Sequence, residues 1–75
     1  MMTATARRHE LCRLAEERGW QRTPRQRVDL YHRDGLQVQV VWQGDDAISG
    51  ASRYEDYVMS HYTRELTTVE KWFNA

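Results

Sequence analysis

Leu36, Val38, Val40 and Trp42 alternate with Gln37, Gln39 and Gln43. A run of this kind folds as a strand with one apolar and one wet face, because successive side chains point to opposite sides. Val28, Leu30 and His32 alternate in the same way with Asp29 and Tyr31, and Arg33-Asp34-Gly35 separates the two runs. Glycine tolerates the positive backbone angles of a tight hairpin turn, so the two runs read as a β-hairpin. Gly44-Asp45-Asp46 reads as a second turn.

Residues 47–54 then read as a third strand and 57–62 as a fourth, with Glu55-Asp56 as the turn. A helix competes for this stretch. Ser52 followed by Glu55 fits a capping box, and Ala51, Tyr54, Val58, Tyr62, Leu66 and Val69 would line one helical face. The tyrosine, valine and threonine content favours the strands. Upstream, residues 4–18 read as a helix whose apolar face holds Ala4, Leu11, Leu14 and Ala15. Gly19 suits the left-handed position after the last turn, where Trp20 folds back towards Leu14 and Ala15. Thr23-Pro24 breaks the chain, since the residue before proline is pushed out of the helical region. Thr67 with Glu70 caps a short C-terminal helix carrying Val69, Trp72 and Phe73. The expected fold is therefore α+β in two layers: N-terminal helix, antiparallel meander of three to four strands, short C-terminal helix. Its apolar sheet face, Val28, Leu30, Leu36, Val38, Val40, Trp42 and Ile48, is expected to lie under both helices.

Seventy-five residues make one domain. A core of this size supplies only about 3–5 kcal/mol and usually needs a staple. Cys12 is the single cysteine, which excludes an internal disulfide and a paired-cysteine zinc site. Self-association is the remaining staple, so a homodimer is expected. No apolar run is long enough for a signal peptide or a membrane helix, which points to the cytoplasm and away from a membrane partner. Ten arginines against one lysine suggest a GC-rich genome, actinobacterial or phage.

The zero net charge hides a split. Arg7 to Arg33 holds eight arginines and four acids, whereas Asp34 to Ala75 holds three bases and seven acids. Arg7 and Arg8 lie near the start of the first helix, and Arg22, Arg25 and Arg27 surround Pro24. Guanidinium groups present paired donors that suit carboxylates and phosphates, so these five are the candidate partner- or phosphate-binding residues. The plainer alternative makes them solvated charges, several pairing with Glu10, Glu16 and Glu17.

Catalytic signals are weak. His9, His32 and His61 lack metal-ligand spacing, the serines lack a nucleophile context, and no phosphate-binding loop exists. Asp45-Asp46 and Glu55-Asp56 fall at turns, where acids are solvated. Cys12 lies just off the apolar stripe and reads as a small apolar packer, with Arg8 and Arg13 near enough to favour a reactive thiolate as the alternative.

In element order, a helix ending in Gly19-Trp20, a strand ending in Tyr31-His32, Asp34-Gly35 and a second strand resemble the HicA family of small RNase toxins. That resemblance covers about half the chain and implies a fold similar to a double-stranded-RNA-binding domain. The family's catalytic histidine sits in a Gly-Ser-His-like stretch at the start of the first strand, where this chain has Arg25-Gln26-Arg27-Val28. His32 stands at the far end of that strand and does not inherit the role. The expectation is a non-enzymatic interaction protein without cofactor, binding a protein partner or itself through its arginine-rich surface, with RNA or DNA binding as the alternative.

Overall fold

The computed structural model describes residues 6–75. Helix α1 (Arg7–Glu17) is followed by strands β1 (Gln21–Arg25), β2 (Val28–Arg33), β3 (Leu36–Gln43), β4 (Ala47–Glu55) and β5 (Val58–Thr63), then by helix α2 (Leu66–Asn74). The strands form one antiparallel meander in the order β1-β2-β3-β4-β5, so β1 and β5 are its two edges. Two layers result, as expected, with one strand more than the pattern suggested. Residues 47–62 are strands, which excludes the helical alternative. Ala4, assigned to the first helix, lies outside the described residues.

The extra strand is β1. Thr23-Pro24 does break the helix, but the chain continues extended and pairs with β2 from Gln21↔His32 to Arg25↔Val28. Proline is tolerated there because an edge strand leaves half its donors unpaired. This strand also stands between the helix and the strand ending in Tyr31-His32, so the element order shared with the HicA family is interrupted at that point.

Helix α1 ends as its glycine dictates. Gly19 has φ +86°, and the Trp20 amide donates to the Ala15 carbonyl at 2.9 Å. Its start is less local, since Ala6 has no side chain able to cap. Asp46 in the β3–β4 turn substitutes, accepting from the Arg7 amide at 3.0 Å, while the Arg8 amide donates to the Asp45 carbonyl at 2.9 Å. A carboxylate at this end also complements the helix dipole. The capping box proposed for α2 is not used: the helix begins at Leu66, which puts Thr67 inside its first turn.

Both helices cover one face of the sheet. Leu11, Ala15, Trp20, Val69 and Phe73 pack there with Tyr31, Val38, Val40, Trp42 and Ala51. Phe73 stands edge-on to Tyr31, with ring centroids 4.8 Å apart, and the Trp20 ring lies 5.2 Å from Phe73.

In β2, however, the covered face is the opposite of the expected one. Directly paired residues share a face, and the register Asp29↔Val40 and Tyr31↔Val38 places Asp29 and Tyr31 inside. Val28 and Leu30 are half-buried on the outer face. The alternation misled because both phases of β2 carry apolar side chains and because a carboxylate counts as polar. Asp29 is fully buried all the same.

Two hairpins use turns with two consecutive positive φ angles. Asp34 (φ 48°) and Gly35 (φ 81°) join β2 to β3, and Asp56 (φ 50°) and Tyr57 (φ 71°) join β4 to β5. The first pair suits this geometry. In the second, a bulky aromatic occupies the left-handed region, which costs about 1–2 kcal/mol for an L-residue. Tyr57→Gly is expected to stabilise the fold by about 1 kcal/mol, measured as a higher urea midpoint with unchanged slope.

Candidate interaction surface

Asp29 is the only charged residue with no exposure among the described residues. Its carboxylate accepts from Arg8 twice, Nε to Oδ2 and Nη2 to Oδ1, both at 2.9 Å. Arg22 Nη2 adds a bond to Oδ1 at 3.0 Å, and the Trp42 indole donates to Oδ2 at 3.0 Å. Helix α1, β1, β2 and β3 thus meet on one side chain. Arg8 also donates to the Gln26 carbonyl at 2.8 Å, which ties down the β1–β2 turn. Burial pushes the Asp29 carboxyl up, but the hydrogen bonds and charges of Arg8 and Arg22 outweigh it and hold the group below the usual carboxylate range. Nearby, burial raises the Tyr31 hydroxyl well above its ordinary value and pushes the Cys12 thiol up despite Arg22. A raised thiol disfavours the thiolate, so Cys12 fits its role as an apolar packer.

The five candidate arginines therefore divide. Arg8 and Arg22 are largely covered and committed to Asp29. Arg7, Arg25 and Arg27 are exposed, and Arg7 approaches Glu10 at 3.9 Å. Two further arginines of the basic half also serve the fold. Arg33 lies 4.7 Å from the Trp20 ring and donates to the carbonyls of Arg18 (2.7 Å) and Ala75 (2.9 Å). Arg18 Nε donates to Asn74 Oδ1 at 2.9 Å, which fastens the end of α1 to the end of α2. No cluster of three or more potential metal ligands occurs among the described residues, and no helix there is long and apolar enough to cross a membrane.

The opposite side of the sheet has no helix over it. Val28 pairs with Val41 and Val41 with Gly50, whose bare backbone lies under the Tyr62 ring. A Cβ at Gly50 would collide with that ring. An apolar band thus runs from β2 to β5, with Leu30 beside it. A shallow cleft on this face is lined by Gln39, Val41, Gly50, Ser52, Tyr54 and Tyr62. A bulge between Arg53 and Tyr54 shifts the phase of β5, so that Met59 (opposite Tyr54) and Tyr62 (opposite Ser52) both point outward. Ser60 holds the bulge by donating to the Arg53 carbonyl at 3.2 Å.

The large exposed hydrophobics gather on β5 and the turn before it: Tyr57 is 94% exposed, Val58 69%, Tyr62 60% and Met59 55%, and of these Met59 and Tyr62 face the open side. None was singled out from the sequence as a binding residue. A strand-length stretch without charge, Val58 to Thr63, was the available signal, and its edge position was not. No protein-family model matches the chain, and no curated protein or solved structure matches it.

Asp29→Asn removes the charge that neutralises two covered guanidinium groups and is expected to destabilise the fold by about 3 kcal/mol at neutral pH, read from urea unfolding. The dependence on pH has a definite sign. Because the folded pKa is depressed, the stabilisation is complete above the unfolded carboxyl pKa of about 3.9 and is lost as pH falls through the lower folded value. The gap between wild type and Asp29→Asn should narrow in that acid range and stay constant from about pH 5 to 8.

Proposed function

We infer that this chain is a small non-enzymatic interaction protein of the cytoplasm that binds a protein, a partner or a second copy, through the uncovered side of its sheet. The observation that carries this reading is the contrast between the two faces. One is sealed by both helices, while the other presents Val28, Leu30, Val41, Tyr54, Met59 and Tyr62 among glutamines. Apolar patches rimmed by polar groups are the usual signature of protein docking, and tyrosine and methionine are enriched in such interfaces. The arginine-rich half supports it indirectly. Arg8, Arg22, Arg18 and Arg33 hold the fold, which removes four of its eight arginines from a ligand's reach. The unpaired, buried Cys12 suits a reducing compartment.

Nucleic-acid binding is the competing reading, because Arg25 and Arg27 are exposed around the β1–β2 turn. Two variants separate the two. Tyr54→Glu/Met59→Lys places charges on the open face, and Arg25→Glu/Arg27→Glu reverses the hairpin. Partner capture should be lost with the first double variant and retained with the second, while fluorescence anisotropy of labelled RNA and DNA stays flat at low salt. Salt-sensitive RNA or DNA binding that disappears with Arg25→Glu/Arg27→Glu would establish the nucleic-acid reading in its place.

A further inference from the structure

The two edges of the sheet are built differently. Edge β1 reads Gln-Arg-Thr-Pro-Arg: Pro24 has no N–H to offer, and Arg25 projects charge from the strand. Proline and charge are two of the devices by which edge strands refuse further pairing, a bulge being a milder third. Edge β5 reads Val-Met-Ser-His-Tyr-Thr and carries neither proline nor a formal charge; its one irregularity is the bulge at Ser60, whose hydroxyl ties back to the Arg53 carbonyl of its own sheet. Its first five residues are exposed, Val58, Met59 and Tyr62 prominently so. The hairpin leading into it holds Tyr57 at φ 71°, a strained backbone for an aromatic side chain that touches almost nothing within its own chain. Strain retained at an exposed position points to a use outside the monomer.

We propose that β5 pairs antiparallel with β5 of a second copy across a twofold axis, extending the five-stranded sheet into a continuous ten-stranded one. This rests on the protein-docking reading above and names the occupant. A second copy suits the edge because the strand is uncharged: an antiparallel self-pair sets no like charges opposite one another, which would otherwise destabilise it. Pairing centred near Ser60 and His61 brings Tyr57 of one copy beside the exposed Arg64 of the other, a cation–aromatic contact that would use the strained tyrosine. The outward Met59 and Tyr62 side chains of both copies then lie together on the open face, where sulfur–aromatic contacts are favourable. Growth stops at two. Joining β1 to β5 would give an open filament, and Pro24 and Arg25 block that edge.

Sedimentation equilibrium over a concentration series, at low and at high salt, tests the proposal. Wild type should reach twice the 9.0 kDa chain mass, with an association that high salt leaves intact because no ion pair lies along the strand. Met59→Lys, with unchanged far-UV circular dichroism, should weaken association at least tenfold. Tyr57→Gly should weaken it while raising monomer stability, a pairing of effects that general unfolding cannot produce. Amide exchange within residues 58–63 should slow as concentration rises, while β1 stays unchanged. A wild-type mass of 9.0 kDa at every concentration would overturn self-pairing. In that case partner capture that is lost with Tyr54→Glu/Met59→Lys would still uphold the docking reading. A dimer unaffected by Met59→Lys, or one dissolved by salt, would also overturn the β5 pairing.

Discussion

The buried carboxylate of Asp29 organises this molecule. It gathers two guanidinium groups and an indole within 3.0 Å, and through them joins α1, β1, β2 and β3. A charge without solvent is costly unless its hydrogen-bonding capacity is filled, and here four donated bonds fill it. The constraint then spreads outward. Asp29 must face the helices, so Tyr31 does too, and Val28 and Leu30 are turned to the open side. Arg8 can reach Asp29 only if α1 starts beside the β3–β4 turn, where Asp46 caps it. One ion-pair cluster thus fixes which face of the sheet is closed and which is left open.

The charge split takes on a different meaning in this light. Half of the arginines in its basic half are internal wiring: Arg8 and Arg22 neutralise Asp29, and Arg18 and Arg33 tie the end of α1 to the chain's last residues. Folding consumes donors that a phosphate ligand would require. The uncovered face of the sheet is apolar and glutamine-rich.

Much of the architecture was legible because local rules act locally. The Leu36–Gln43 alternation, Asp34-Gly35 and Gly19 each specify their own conformation, and each adopts it. What was not legible depends on contacts distant in sequence. The inward phase of β2 is decided by Arg8, Arg22 and Trp42, which lie up to 21 residues away from Asp29. β1 is hidden by Pro24, which signals a break and says nothing about an edge. The candidate surface was missed for a related reason: exposure of Met59 and Tyr62 follows from a bulge and from strand order, neither of which a pattern of apolar residues encodes.

The most direct test is the arginine side-chain region of the ¹H–¹⁵N spectrum at neutral pH. If Asp29 is the hub, the Arg8 Nε–H, bonded to Oδ2, will give a slowly exchanging signal that Asp29→Asn abolishes, while Arg25 and Arg27 exchange too fast to be seen. An Arg8 signal that exchanges as fast as those of the exposed arginines would contradict the account, and with it the closed face that leaves the other side of the sheet open.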